Sequence, residues 1–185
     1  TGGAGGIGKA TAERLLEQGA CVVIADIDRN ALTAAESELT EHFGKDVVRG
    51  IRCDVTSEAS VTASLAFLSV EFGGIDIVVS NAGIASSAPL DETTLEIWDR
   101  NMAILATGSF LVAREAFKVL KAQHIGGSVV MVASKNALVA SPNASAYCTA
   151  KAAEVQLARA VALEGAPLGV RCNVVNPDAV LRGSK

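Results

Sequence analysis

The stretch T-G-G-A-G-G-I-G, residues 1–8, runs directly into the apolar spacing of a helix at residues 7–18. Residues without a β-carbon allow a tight turn and let the backbone approach a pyrophosphate, and the start of the following helix offers free N–H groups to that anion. Two phosphate-turn patterns overlap here, G-x-G-x-x-G at Gly3, Gly5 and Gly8 and T-G-x-x-x-G-x-G at Thr1, Gly2, Gly6 and Gly8. Either pattern alone is weak, because glycine-rich turns occur in many loops.

Short apolar runs alternate with helical patterns along the rest of the sequence. We predict strands at residues 21–26, 47–53, 75–80, 128–133 and 170–175, and helices at residues 7–18, 30–43, 58–72, 95–122 and 145–164. Four of these helices are followed by a glycine that is expected to stop them, at Gly19, Gly44, Gly73 and Gly165. The alternation predicts one α/β domain over residues 1–185, a doubly wound parallel sheet of the Rossmann type with helices on both faces.

The glycine turn comes before any predicted strand, although a doubly wound sheet has a central strand ahead of it. The substrate segment that follows the sixth strand in such a domain is also not recognisable. We therefore expect a partial domain, a fragment of a longer protein that lacks the first strand and the C-terminal substrate segment.

Composition excludes several functional classes. The net charge is −4 without a basic run, so neither nucleic acid nor an anionic membrane surface is an expected partner. No apolar run approaches the roughly 20 residues of a membrane helix. Cys21, Cys53, Cys148 and Cys172 form no CxxC pair, and we expect buried, reduced thiols in a cytoplasmic protein. No cluster has metal-ligand spacing, so no metal is expected.

Asp26 strengthens the interpretation of the glycine turn. It ends the first predicted strand after the turn, where an acidic group reaches the adenosine ribose of a dinucleotide. A carboxylate there accepts hydrogen bonds from both ribose hydroxyls and repels a 2′-phosphate. The pattern therefore favours NAD over NADP.

Three further side chains suggest catalysis. Tyr147 and Lys151 are spaced i, i+4 at the start of a predicted helix and share one of its faces. A free phenol has a pKa of about 10, but a cation one turn away stabilises the phenolate and makes a better base. Ser134 follows the predicted strand at residues 128–133, at the sheet edge where ligands bind, and its hydroxyl could hold a substrate oxygen.

With these motifs together, the chain resembles the short-chain dehydrogenase/reductase family along essentially its whole length. Asp54-Val55 resembles the adenine-contacting pair of the family, and Asn81-Ala82-Gly83 resembles its N-A-G motif. The resemblance implies Tyr147 as acid/base, Lys151 as ligand of the nicotinamide ribose, and Ser134 as the group that orients the substrate. It implies NAD contacts at Gly2, Gly6, Ile7, Gly8, Asp26, Asp54, Val55, Asn81, Ala82, Gly83, Tyr147, Lys151 and Pro177.

Two positions depart from the family. Leu105 falls where the family often has the Asn that supports a water relay to the lysine, and Asp178 follows Pro177 where a glycine is usual. Asn101 lies one turn before Leu105 and could substitute, but a place on the helix surface is the more ordinary expectation. Arg182 and Lys185 could steer an anionic substrate, but a solvated loop is the more ordinary expectation.

These departures resemble a narrower group, the bifunctional rhamnulose-1-phosphate aldolase/short-chain dehydrogenases, at residues 104–108, 133–136 and 176–185. That resemblance implies a preceding aldolase domain and oxidation of lactaldehyde to lactate in rhamnose breakdown. The alternatives are a dehydrogenase of another secondary alcohol or sugar alcohol, and an NAD-binding module without turnover, which Leu105 and Asp178 would favour. The family also implies a homo-oligomer formed through the helices at residues 95–122 and 145–164.

Overall fold

Strands and helices alternate along residues 1–180, which are the residues that the computed structural model describes. The helices are α1 (Gly6–Glu17), α2 (Arg29–Phe43), α3 (Glu58–Phe72), α4 (Leu95–Asn101), α5 (Gly108–Gln123) and α6 (Ser145–Gly165). The strands are β1 (Val22–Asp26), β2 (Val48–Arg52), β3 (Ile77–Ser80), β4 (Gly127–Val132) and β5 (Val170–Val175). A π-helical segment, Met102–Thr107, joins α4 to α5, and short 3-10 turns lie at Leu90–Glu92, Lys135–Ala137 and Ala166–Leu168.

All strand pairs are parallel, as the βαβ pattern predicts. β1 pairs with β2, and β4 lies between β3 and β5. Every carboxyl end therefore reaches the same side within each group, as shown by Asp26 opposite Arg52 and Val132 opposite Val175. The Rossmann-type α/β fold is confirmed.

The two groups of strands meet along a seam, the gap between β1 and β3. Residues 1–3 bridge it at one end, because the nitrogen of Thr1 donates to the carbonyl of Val79 (2.9 Å) and the N–H of Gly3 donates to the carbonyl of Ala25 (3.1 Å). Beyond this bridge β1 and β3 are not paired, and a space of about 680 Å³ separates them at the position where a doubly wound sheet has its central strand. Its lining is largely apolar and includes Leu15, Val23, Leu68 and Phe72.

Two apolar cores hold the strands to the helices. The larger core lies around β3, β4 and β5 and includes Val61, Val112, Val129 and Met131. The smaller core lies around β1 and β2 and includes Leu16, Ile24, Leu32, Leu39 and Val48. Each such side chain contributes about 1.5–3 kcal/mol when fully buried, so these two layers of contact stabilise the packing of the helices on the strands.

Helix boundaries follow local chemistry. The carboxylate of Asp28 accepts hydrogen bonds from the amides of Asn30 and Ala31 and so caps α2. Gly73 ends α3 in the left-handed conformation that glycine adopts readily.

Three sequence expectations need correction. The helix predicted at residues 95–122 is divided by the π-helical segment. Gly165 is the last residue of α6 and not its stop, since its backbone is right-handed and Gly169 makes the left-handed turn instead. Gly165 matters for packing, because a β-carbon there would lie 2.8 Å from the carbonyl oxygen of Val170. Cys53 and Cys172 are buried as expected and Cys148 is half-buried, but Cys21 is exposed because it precedes β1 at the seam.

Candidate active site

The glycine turn leaves the start of α1 open. α1 begins at Gly6 with no side-chain cap and no acidic residue in its first turn. A β-carbon at Gly5 or Gly6 would meet no atom within 4 Å, whereas one at Gly8 would lie 2.1 Å from the carbonyl oxygen of Gly2. The turn thus has no space for a side chain at Gly8, whereas the space around Gly5 and Gly6, at the start of the helix, is free. Uncapped amides facing free space fit a pyrophosphate group.

Asp26 connects the end of β1 to this turn. One carboxylate oxygen accepts the N–H of Ala4 (3.1 Å), and the other accepts the N–H of Asp28 (3.0 Å). The acidic group is therefore held beside the glycine turn, as the sequence predicts for a ribose-binding carboxylate.

Asn81 secures the turn from β3. Its side-chain amide donates to the carbonyls of Thr1 (3.0 Å) and Gly2 (3.1 Å), and the hydroxyl of Thr1 accepts the N–H groups of Asn81 and Ala82 (both 3.0 Å). Gly83 packs against Leu105. A β-carbon at Gly83 would lie 3.1 Å from the Cδ2 of Leu105. The Asn81–Ala82–Gly83 motif thus leads from the turn to the buried part of the site.

Asp54 and Val55 follow β2 at the same edge of the sheet. The N–H and hydroxyl of Thr56 donate to one carboxylate oxygen of Asp54, and these hydrogen bonds lower the pKa of Asp54. Val55 is buried against Gly108 of α5, where a β-carbon would come within 2.9 Å of it. The pair is placed one strand away from Asp26.

The predicted catalytic residues lie at the carboxyl end of β4. They are Ser134, Tyr147 and Lys151. Ser134 follows β4, and its hydroxyl oxygen accepts the N–H of Asn136 (3.2 Å), which leaves the hydroxyl hydrogen available to donate. Lys151 is 4% exposed and donates to the carbonyl of Val132 (2.9 Å), which fastens α6 to the end of β4. Tyr147 is half-buried one helical turn before Lys151.

Glu154 is a member of this site that sequence reasoning missed. Both of its carboxylate oxygens lie 3.1 Å from the Nζ of Lys151, and its side chain is 1% exposed. Burial raises the pKa of Glu154 to about 7, against the lowering effects of Lys151 and of the hydroxyl of Ser109. The available signal was a charged residue on the lysine-bearing face of a helix that is otherwise rich in alanine.

Leu105 and Asn101, at the first departure from the family pattern, are both buried. Leu105 is fully buried in the π-helical segment. Asn101 is also fully buried, so its predicted place on the helix surface is wrong. Its amide donates to the hydroxyl of Ser86 (2.7 Å) and to the carbonyl of Ile97 (2.8 Å), which satisfies a polar group that water cannot reach.

Asp178 is balanced by a cation. Its carboxylate lies 2.6 Å from the Nζ of Lys135, which lowers the pKa of Asp178. The N–H of Lys135 also donates to the carbonyl of Pro177 (2.9 Å), so the segments after β4 and β5 are connected twice. Arg182 and Lys185 lie outside the described residues.

Within residues 1–180, no group of three or more His, Cys, Asp or Glu side chains could hold a metal ion. Over the same range, no helix has the length and apolar character to cross a membrane.

Comparison with known proteins gives consistent matches. The family described as short chain dehydrogenase matches residues 1–183. The uncharacterized oxidoreductase YuxG of Bacillus subtilis (strain 168) is 49% identical over 184 residues, which are 100% of this chain and 27% of that protein. The D-threitol dehydrogenase of Mycolicibacterium smegmatis is 38% identical over 182 residues, which are 98% of this chain and 68% of that protein.

A solved structure agrees with these sequence matches. The crystal structure of levodione reductase superposes with a TM-score of 0.93 at 32% identity, covering 98% of this chain and 70% of that one. The chain thus spans about a quarter of the length of the Bacillus relative and about two thirds of the length of the other two.

Proposed function

The chain belongs to the short-chain dehydrogenase/reductase family, and on that premise we propose that it is the nucleotide-binding and catalytic part of an NAD-dependent enzyme that moves hydride between a small hydroxyl or carbonyl compound and nicotinamide. One observation carries the proposal. The uncapped glycine turn lies at the carboxyl ends of the parallel strands. The buried Lys151, with Tyr147 one helical turn before it, lies at the same ends. A module that only bound nucleotide would need the first feature and not the second.

The cofactor is assigned to the turn and the strand ends. The amides of Gly6, Ile7 and Gly8 would face the pyrophosphate, with Gly2 closing the turn behind them. Asp26 would accept the ribose hydroxyls, which favours NAD over NADP. The remaining contacts are proposed at Asp54, Val55, Asn81, Ala82, Gly83, Tyr147, Lys151 and Pro177. When bound, the nicotinamide supplies a hydride acceptor.

The proton chemistry is assigned to three side chains. Ser134 would donate its hydroxyl hydrogen to the substrate oxygen, and Tyr147 would take the proton from the hydroxyl that is being oxidised. The ammonium of Lys151 would stabilise the phenolate form of Tyr147, which accepts this proton, and would bind a ribose hydroxyl. Because Lys151 is buried and fixed by the carbonyl of Val132, its charge acts in a poorly screened environment.

Lactaldehyde is our preferred substrate, oxidised to lactate in rhamnose breakdown. The aldehyde would react as its hydrate, which loses one hydroxyl proton to Tyr147 and its C–H hydride to nicotinamide, so that a carboxylic acid results. The proposal includes an aldolase domain in the same protein. Its support is the motif resemblance at residues 104–108 and 176–185, and the Bacillus relative, most of whose length lies outside the match.

A sugar alcohol or another secondary alcohol is the second candidate. The observation that favours it is the 38% identity to a relative named D-threitol dehydrogenase. The same proton and hydride steps would then act on a secondary carbinol and yield a ketone.

We further propose a cytoplasmic homo-oligomer. The exposed apolar side chains Phe110 on α5 and Leu163 on α6 support an interface on these helices. The four free cysteines support a reducing compartment.

The test measures NADH formation by the full-length protein with NAD and lactaldehyde, beside its Tyr147→Phe variant. We expect turnover in the native protein and a loss of at least about a hundredfold in the variant, since the acid/base is removed while the ring remains. No NADH from lactaldehyde, but NADH from threitol or a related alcohol, would select the second candidate. NAD binding without turnover of lactaldehyde, threitol or related alcohols would select a binding module.

A further inference from the structure

Lys151 and Glu154 form a buried ion pair on one face of α6. The Nζ of Lys151 lies 3.1 Å from each carboxylate oxygen of Glu154 and 2.9 Å from the carbonyl oxygen of Val132. These two partners occupy two of the three directions in which an ammonium group donates. At 4% and 1% exposure, the two charges act on each other with little screening by solvent.

The surroundings of the pair contribute hydroxyl and apolar groups. The hydroxyl of Ser109 on α5 donates to Glu154. Leu105 and Lys151 both lie next to Gly83, at 3.1 Å and 3.8 Å from the position of a β-carbon there, and Leu105 offers no hydrogen-bonding group. Glu154 is thus the polar side chain that holds this ammonium among the residues that the structure describes.

Other ionisable groups of the elements that pack against α6 are engaged elsewhere or exposed. On α5, Arg114, Glu115 and Lys118 pair with one another, and on the segment after β4 Lys135 pairs with Asp178. Burial raises the pKa of the Cys172 thiol on β5 to about 11, which keeps it neutral. The exposed charges on these elements are Glu96, Asp99, Arg100, Lys121 and Arg171.

We propose that Glu154 is the counter-ion that fixes the ammonium of Lys151 and thereby sets the pH at which the phenol of Tyr147 loses its proton, a role that rests on the function proposed above for Tyr147 and Lys151. Tyr147, Lys151 and Glu154 follow one another along one helix at spacings of four and three residues, so they share a face. A bare ammonium would favour the phenolate strongly. A carboxylate in contact with it cancels part of that effect and shifts proton loss to higher pH.

The net charge of the pair changes near neutral pH. With a pKa of about 7, the carboxyl of Glu154 is largely neutral in mildly acidic solution and charged in mildly alkaline solution. The ammonium therefore acts on Tyr147 most strongly at low pH and is partly neutralised as the pH rises. Glu154 is a positioning and charge-setting residue, and it acts on the substrate only through its neighbours.

Tyr147 is the one tyrosine among residues 1–185, and a difference measurement separates its signal from that of tyrosines elsewhere in the protein. The ultraviolet absorbance of its phenolate is titrated in the full-length protein as the difference between each protein and the same protein carrying Tyr147→Phe. In Glu154→Gln, which preserves the shape of the side chain and removes its charge, we expect Tyr147 to ionise at a pH about one unit lower than in the native protein. Coinciding curves for the native protein and Glu154→Gln would overturn the proposal.

Glu115→Gln is the matched control, because Glu115 is also a buried, ion-paired carboxylate but lies on α5 with Arg114 and Lys118. We expect no displacement in that variant, and a displacement as large as that of Glu154→Gln would also overturn the proposal. Ser109→Ala serves if Glu154→Gln does not fold. Loss of its hydrogen bond keeps Glu154 protonated to higher pH, so the Tyr147 curve moves the same way by a smaller amount. An unmoved curve in Ser109→Ala would contradict the assignment.

The titration needs no turnover. Its outcome is therefore separate from that of the proposed function, which would fail through absence of NADH formation while the phenolate could still be titrated.

Discussion

In the glycine turn, residues 1–8, the backbone forms the site and side chains are excluded, whereas at the edge of Ser134, Tyr147 and Lys151 the side chains form the site and the backbone supports them. The contact of Gly8 with the carbonyl of Gly2 leaves no space for one methyl group. The contact of Lys151 with Glu154 is made by two side chains that can rotate. The turn is therefore sensitive to volume, and the catalytic edge is sensitive to charge.

The sharpest way to break this contrast is Gly8→Ala. The new β-carbon would lie 2.1 Å from the carbonyl oxygen and 2.8 Å from the carbonyl carbon of Gly2, so the main chain has to move. We expect the free energy of unfolding to fall by about 3 kcal/mol, and NAD binding to be lost with the shape of the turn. Urea unfolding and nucleotide titration measure the two effects.

Gly5→Ala is the control for volume alone in the same turn. Its β-carbon meets no atom within 4 Å and its backbone is extended, so the free energy of unfolding should fall by less than about 1 kcal/mol. Equal losses in the two variants would show that the turn does not depend on the Gly8 contact.

Asn81→Ala tests the connection between the two regions. The change removes a donor to the carbonyls of Thr1 and Gly2 and leaves both acceptors short of a partner. We expect a loss of about 2 kcal/mol in the free energy of unfolding. Asn30→Ala, on the exposed face of α2, should change it little, and an equal loss there would argue against the special role of Asn81.

Of the three site variants, Asp26→Asn should have the smallest effect. It separates sensitivity to charge from sensitivity to volume, because it changes charge at the edge of the turn with almost no change in volume. One oxygen remains for an amide, but the repulsion of a 2′-phosphate disappears. We expect the ratio of kcat/KM with NADP to that with NAD to rise about tenfold. Asp28→Asn, whose side chain can still cap α2, is the control, and a similar change of ratio there would remove Asp26 from cofactor selection.

Sequence reasoning succeeded where the decisive contacts are local. The run at residues 1–8, the placement of Asp26 at a strand end and the i, i+4 spacing of Tyr147 and Lys151 are local patterns, and the structure places all three as predicted. The parallel sheet follows in the same way from alternating apolar runs.

The features that were missed depend on contacts across the fold. The buried side chain of Asn101 is hydrogen bonded to Ser86, and the carboxylate of Asp178 is paired with Lys135. Glu154 lies only three residues after Lys151, but the burial of its carboxylate beside Ser109 of α5 is not revealed by periodicity alone.

The bridge formed by residues 1–3 has a consequence for amide hydrogen exchange. β4 is hydrogen bonded on both sides, to β3 and to β5, so its amides should exchange most slowly among those of the described strands. Thr1 and Gly3 are bonded to one group each. A nucleotide that fixes the turn would therefore slow amide exchange in both groups at once.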